Sequence, residues 1–401
     1  MLTLAEAQAK ISSGLKRAVE TEMLPLSKAA GRFLAQDVSA NVANPAFDNS
    51  AMDGYALHTA DLNPDTAVLP LQGEASCGMS PDEIVPGTTM RIFTGAPLLR
   101  GADTVEIQEN VTVENTKVVF REAVSVNQNI RRQGEDFAEG QLLYKKGKQL
   151  LPMDLGLLAS AGIAELKVFK KPRVLVIATG NELVKPGHAL KPGQIYESNK
   201  LVTLLQLQAL GMDAVDGGTV GDNPQALHKR MAVSKEYDFV VTSGGASVGD
   251  HDLVKQVFSN LGSIDLWRVK IKPGKPVAFG LIGDKTHFFA LPGNPVSSLV
   301  TFKLFVEPAL YGWNHAEHLQ MELNAVASND FQRRAGRMEF LRARLFTEND
   351  VLNAEALPGQ GSHMLGTLRH TNGLIRIGEE STGFSSGDSV SVIPLHLGIG
   401  S

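Results

Sequence analysis

Cysteine is almost absent: Cys77 is the only one in 401 residues. A disulfide within the chain and a thiolate metal cluster are therefore excluded. Cys77 lies in Gly73-Glu-Ala-Ser-Cys-Gly78 with no histidine nearby, which reads as a small packing residue and not as a nucleophile. Aromatic residues make up only 6% and the formal net charge is -5. The chain thus offers neither a base-stacking platform nor an overall basic field, and nucleic acid is not an expected partner. The pairs Arg131-Arg132 and Arg333-Arg334 are too short to reverse that. Long apolar runs are missing too. The most apolar stretch, 150–168, is broken by Asp154, Glu165 and glycines, and reads as helix, turn and strand instead of a membrane span. The start, Met1-Leu-Thr-Leu-Ala-Glu6, has no basic stretch followed by an apolar one, so no signal peptide is expected and cytoplasmic residence is.

What is present is an ordinary globular composition, 43% hydrophobic and 20% charged, at a length suited to two to four domains. The expected fold class is α/β multidomain. Residues 3–19 read as a helix, with Thr3 and Glu6 spaced as a capping box and Ala7, Ile11, Leu15 and Val19 as an apolar stripe. A second helical piece is expected at 26–34. From 47 to 136 short apolar runs alternate with glycine and proline (Val68–Leu71, Thr89–Phe93, Thr104–Ile107, Lys117–Phe120), a β-rich inserted module. Residues 137–170 return to mixed texture: a strand at 148–151, a helix at 152–161 started by Pro152 and stopped by Gly162, and a strand at 164–169.

Strands and helices alternate through 171–316, which implies a central α/β domain with a mainly parallel sheet. Val174–Ile177, Phe239–Val241 and His287–Leu291 are its clear strands. Ser198-Asn199, Gln225–Ser234, Asp252–Leu261 and Val296–Leu310 open or form its helices. Residues 317–401 turn β-rich again, with Phe340–Leu345, Gly373–Ile377 and Ser389–Ile393 as strands of a barrel-like C-terminal domain.

Three of the α/β strands run into unusual loops: Ala178-Thr-Gly-Asn-Glu182, Thr242-Ser-Gly-Gly-Ala-Ser-Val-Gly-Asp250 and Leu291-Pro-Gly-Asn-Pro-Val-Ser297. A parallel sheet puts all three on its carboxyl edge, where open α/β folds bind ligands. Glycine lets backbone N–H groups approach an anion, and a following helix adds positive potential. None of the loops matches a Walker A or a Gly-x-Gly-x-x-Gly pattern, which disfavours ordinary P-loop and dinucleotide sites. Glu182, Asp222, Asp250 and Asp252 attend the same edge. Carboxylates beside an anion cradle repel it unless a cation intervenes, and Mg²⁺ suits one or two carboxylates plus phosphate oxygens. For each acid alone a helix cap is the competing reading; Asp252 opens a helix. In Lys270-Ile-Lys-Pro-Gly-Lys-Pro276, proline and glycine stiffen the chain, so Lys272 and Lys275 can present fixed charge to an oxyanion; a solvated basic turn is the alternative.

Together and in order these strings resemble the MoeA family, the molybdopterin molybdenumtransferases. The resemblance spans essentially the whole chain. It includes Asn49-Ser-Ala-Met-Asp-Gly-Tyr55, Ile92-Phe-Thr-Gly-Ala-Pro97, Asn129-Ile-Arg-Arg-Gln-Gly-Glu-Asp136, the three strand-end loops, Ile271–Pro276 and Gly359-Gln-Gly-Ser-His363. It implies insertion of molybdate into the dithiolene of adenylylated molybdopterin, with release of AMP and of molybdenum cofactor. It also implies Mg²⁺ dependence and a homodimer in which 1–46 and 137–170 form an elongated linking and dimerisation domain. Carried over by position, Asp53, Glu182, Asp222, Lys272 and Lys275 are the expected catalytic residues, with Glu182, Asp222 and Asp252 as expected metal ligands. Substrate contacts are expected from Thr94, Asp136, Thr179, Gly180, Ser243, Gly244, Gly245, Ser247, Asp252, Pro292, Gly293, Asn294, Pro295, Arg342 and Ser362. Asp53, Thr94 and Asp136 are expected to serve the partner subunit's α/β site. Asn181 departs from the family, where aspartate is common, and His251 stands between Asp250 and Asp252. Two other readings share the α/β domain: a molybdopterin adenylyltransferase, which the flanking β modules disfavour, and a non-catalytic dimeric scaffold. Other enzymes of cofactor biosynthesis are possible partners.

Overall fold

The computed structural model describes residues 1–18, 20–62, 67–79, 83–244, 257 and 262–395. The described chain forms two compact units, one of Met1–Glu22, Gly31–Phe33 and Phe169 onward, the other of Met23–Ala30 and Leu34–Val168.

The first unit is built on a six-stranded sheet in the order Asp213–Val220, Arg173–Thr179, Phe239–Ser243, Thr286–Leu291, Pro276–Ile282, Gly262–Arg268. The first four strands are parallel and the last two antiparallel. The three central parallel strands are the near-continuous apolar runs read from the sequence, and they are buried along their length. The Asp213–Val220 strand was not expected. It lies at the sheet edge and its Asp-Gly-Gly sequence carries no apolar pattern. Asn199–Ala209 and Pro224–Ala232 are the expected crossover helices. The predicted helix at 252–261 lies outside the described residues, Val257 excepted.

The predicted helix at 296–310 is three pieces: α-helical Pro295–Thr301, a π-helical turn at Phe302–Val306, and α-helical Glu307–Trp313. Pro308 has no N–H to donate to the Leu304 carbonyl one turn back, which breaks the α-helical ladder. Gln8 Nε2 donates to that carbonyl instead, at 3.0 Å. Gln8 sits on the N-terminal helix, Leu4–Gly14, which has the expected Thr3/Glu6 capping box but ends five residues before the predicted 19. A side chain at Gly14 would lie 2.9 Å from the Phe279 ring, so this close approach needs glycine.

His287 is fully buried in this unit. Its ring lies 5.0 Å from Phe239 and is stacked 6.1 Å from Phe279, with Nε2 3.0 Å from the Lys16 carbonyl. Burial pulls its pKa below the ordinary histidine value. The folded chain therefore stays neutral here at a pH where the unfolded chain has bound a proton. Stability is full above about pH 6.5 and falls as pH drops towards the lowered folded value. Thermal melts from pH 7 to pH 5 are expected to show this decline, and His287→Gln is expected to flatten it; an unchanged slope in the variant counts against the assignment.

After Trp313 the chain forms a closed five-stranded barrel. Its ring runs Met338–Glu348, Val351–Ala356, Leu323–Ala327, Ser389–Pro394, Gly373–Ile377 and back to Met338–Glu348. Ala325, Leu341, Ala343, Ala354, Ile375 and Val392 fill it. Closure leaves the ring without a free edge. A sixth, two-residue strand, Ile271–Lys272, comes from the α/β segment and pairs parallel to Met338 and Glu339.

The second unit contains another six-stranded sheet, ordered Thr104–Ile107, Gly54–Leu57, Thr89–Ile92, Val68–Ala75, Lys117–Phe120, Val111–Glu114. Pro152–Ser160 is the predicted helix, and Gly162 follows it with φ +77°. Two local expectations fail. Residues 26–34 give only a 3₁₀ turn at Leu26–Lys28, and no strand forms at 148–151. In both places the chain instead makes long-range backbone bonds: Leu26 N to Ala164 O, and Leu34 N to Lys148 O. No helix among the described residues is long and apolar enough to cross a membrane.

Candidate functional site

The carboxyl edge of the parallel strands gathers the expected loops. Gly180 has φ +152°, and its N–H donates to Val220 O at 3.0 Å. Any side chain there would fall 2.6 Å from Glu182 Oε2, so the Glu182 carboxylate folds back over the bare glycine. Asn181 and Asp222 lock the neighbouring loops reciprocally. Asn181 N donates to Asp222 Oδ2 at 3.4 Å, and Asp222 N donates to Asn181 Oδ1 at 3.0 Å. Asn181 thus has a structural task in holding the two loops together. Asn223 caps the helix after Asp222 by accepting from Gln225 N and Ala226 N, which leaves the Asp222 carboxylate free of that duty. Glu182 and Asp222 are both exposed, and neither forms an ion pair among the described residues.

Buried Thr179 and Ser243 end adjacent strands at the first and second loops, the Thr179 hydroxyl 3.4 Å from Ser243 O. Gly244 follows with φ +89° and donates to Leu291 O at 3.1 Å. Gly245, Ser247 and Asp252 lie outside the described residues. In the third loop, Pro292 is buried while Gly293 and Asn294 are exposed, and Pro295 opens the next helix. Asn199 Nδ2 donates to Gly293 O at 2.7 Å. Ser198 makes no side-chain cap, contrary to expectation; its neighbour is spent on bracing the loop.

The barrel joins this edge. Asn294 Nδ2 donates to Ser362 Oγ at 3.0 Å, and Val296 N donates to Ser362 O at 3.1 Å. The 359–364 loop is in turn held by Arg342, which is 1% exposed. Its guanidinium donates to the carbonyls of Met364, Gly359 and Gly361 at 3.0, 2.6 and 3.1 Å. Nε has no partner among the described residues, and no carboxylate is paired with this buried cation. In this structure Arg342 therefore shapes the loop that carries Ser362.

Lys272 and Lys275 fall at the same end of the sheet. The strand Pro276–Ile282 runs antiparallel to Thr286–Leu291, with Ala278 opposite Ala290, so its start meets the carboxyl ends of the parallel strands. The basic segment is not a free turn. Gly274, at φ +102°, packs where a side chain would touch Thr301, and Lys272 pairs with Glu339 at 2.8 Å. Glu339 was not singled out in the sequence. It is one acid in a largely buried strand, and only the parallel pairing with Lys272 reveals it.

The remaining candidates belong to the second unit. Asp53 Oδ1 accepts from both the backbone N–H and the hydroxyl of Thr94, each at 2.8 Å. These bonds hold its carboxyl below the usual carboxylate range. Asp136 Oδ2 accepts from Asn44 Nδ2 at 2.9 Å, and Arg132 pairs with Asp48. Cys77 is exposed and not packed; its Sγ lies 3.2 Å from the Thr94 carbonyl.

Fold and site together define a multidomain α/β enzyme with a molybdopterin-binding type of central domain. Residues 175–312 match the model of the probable molybdopterin binding domain. Residues 2–162 match the MoeA N-terminal region (domain I and II), and residues 324–395 the MoeA C-terminal region (domain IV). The chain is 38% identical over 406 residues to the molybdopterin molybdenumtransferase of Haemophilus influenzae, covering 99% of each. It is 34% identical over 398 residues to molybdopterin molybdenumtransferase 2 of Mycobacterium tuberculosis, covering 96% of this chain and 97% of the relative. A crystal structure of the molybdopterin biosynthesis MoeA protein from Pyrococcus horikoshii superposes with a TM-score of 0.81 at 31% identity, over 98% of this chain and 99% of the other. The chain belongs to the MoeA family of molybdopterin molybdenumtransferases. It is a transferase of molybdenum cofactor biosynthesis.

Proposed function

We propose that the protein inserts molybdate into the dithiolene of adenylylated molybdopterin, releasing AMP and molybdenum cofactor. The observation that carries this reading is the convergence at one sheet edge of two unpaired carboxylates, glycine-lined loops and two lysines. That set suits both a nucleotide-linked phosphate and a small oxyanion, which supports the reading.

The carboxylates suit Mg²⁺ held jointly with substrate phosphate oxygens. Glu182 and Asp222 are exposed and unpaired, and no cluster of three or more metal-ligating side chains exists among the described residues to form an all-protein cage. When bound there, Mg²⁺ supplies positive charge that offsets the pyrophosphate and polarises it. The protein's own groups do the rest. Gly180, Gly244 and Gly293 let the backbone approach the phosphates, while Thr179 and Ser243 brace the loops from beneath. Lys272 and Lys275 hold molybdate by charge, and Ser362, held by Asn294 and by the loop that Arg342 braces, adds a hydroxyl. As AMP leaves, the same lysines and loop amides stabilise charge developing on its phosphate, which is electrostatic catalysis by fixed groups. The protein acts as a homodimer in this reading, and Asp53, Thr94 and Asp136 complete the partner subunit's site. Thr94 fixes the Asp53 carboxylate through two hydrogen bonds, which also lower its pKa.

The test is AMP release from adenylylated molybdopterin with and without molybdate, in Mg²⁺. Release that depends on molybdate supports the reading. Adenylylation of metal-free molybdopterin from ATP points to the adenylyltransferase instead, and no molybdate-dependent product at all points to a scaffold.

A further inference from the structure

Glu339 is a buried acid with two cations and no place in the reaction described so far. It is 2% exposed, on the barrel strand Met338–Glu348. Oε1 lies 2.8 Å from Lys272 Nζ, and Oε2 lies 3.4 Å from Arg333 Nη1. The two cations differ. The Arg333 side chain is 5% exposed and anchored by further bonds, Nε to Ser381 O at 2.9 Å and Nη2 to Gly378 O among them. The Lys272 side chain is 48% exposed, with Glu339 as its only side-chain partner among the described residues. Arg333 and Glu339 therefore form a fixed, nearly neutral base, and Lys272 is tethered to it while still open to solvent. The backbones agree, since Lys272 lies opposite Glu339 in the parallel pairing that ties the lysine loop to the barrel.

We propose that Glu339 is a positioning residue that holds the Lys272 ammonium in place for an incoming oxyanion. The inference rests on the function proposed above. A long lysine side chain samples many rotamers, and fixing it in advance removes that cost from anion binding. Arg333 offsets part of the carboxylate's charge and the trio carries net +1, so the tether does not cancel the field that Lys272 presents.

The experiment is a double-mutant cycle on molybdate-dependent AMP release, using wild type, Glu339→Gln, Lys272→Ala and the double variant. Glu339→Gln is expected to raise the KM for molybdate about tenfold with kcat within about threefold, and to add nothing further in the Lys272→Ala background. An unchanged KM in Glu339→Gln, or effects that multiply in the double variant as for a merely structural acid, overturns the proposal. Wild type without molybdate-dependent release overturns the functional reading itself, a distinct result. Should Glu339→Gln not fold, wild-type protein answers the same question by pulse acetylation read by peptide mass spectrometry. Lys272, though the more exposed, is expected to react more slowly than Lys275, which has no side-chain partner among the described residues. Equal or faster reaction at Lys272 overturns the tether.

Discussion

Asp222→Ala and Lys275→Ala are each expected to lose molybdate-dependent AMP release by at least about 100-fold while remaining folded, the scale of removing one fixed charge from a charge-stabilising site. Neither side chain is buried in a core or paired with another charge among the described residues, so stability should change little. Asp53→Ala is expected to be equally inactive, through the other module. Mixing inactive Asp222→Ala protomers with inactive Asp53→Ala protomers then gives the decisive result. In a mixed dimer one site carries both lesions and the other carries neither, so activity returns. Recovery of nothing on mixing removes the shared site, and wild-type turnover in either single variant removes that residue from the mechanism.

Gly244→Val is expected to be nearly as damaging for a different reason. Gly244 has φ +89°, and a Cβ there would lie 2.8 Å from both the carbonyl and the hydroxyl oxygen of Thr179. Valine meets backbone strain of about 1–3 kcal/mol and a clash with the neighbouring strand end. The loop must move, and displacement on the order of 1 Å at a positioned site costs about 100-fold in rate. A melting temperature within a few degrees of wild type, with AMP release down by that factor, is the expected pair of measurements. Wild-type turnover would show that this loop's exact path does not matter.

The sequence was most legible where chemistry is local. Phe239–Ser243 and Thr286–Leu291 are strands because their apolar runs admit no solvated face, and the glycines that follow them mark the site edge. The closed barrel was harder. Its strands at Leu323–Ala327 and Val351–Ala356 are half exposed and alanine-rich, so they carry little pattern until the ring closes. The N-terminal helix continues on paper to Val19 because periodicity cannot see the Phe279 ring that meets Gly14. Among the candidate site residues, Glu182, Asp222 and the lysines stood out by neighbouring glycines. Glu339 did not, since its meaning depends on a partner 67 positions earlier in the chain. Arg342 was read as a substrate contact; its guanidinium is buried beneath the 359–364 loop, a placement that only burial reveals.

The two-residue strand Ile271–Lys272 also bears on how this chain can be divided. Its backbone belongs to the α/β segment by sequence, yet its hydrogen bonds belong to the barrel sheet. A fragment ending at 316 would keep every strand of the parallel sheet but would strip that short strand of its neighbour and leave Lys272 without its counter-charge. The smallest piece able to hold the lysine loop in shape is therefore longer than the α/β segment itself, and the boundary drawn by topology is not the boundary at which the protein can be cut.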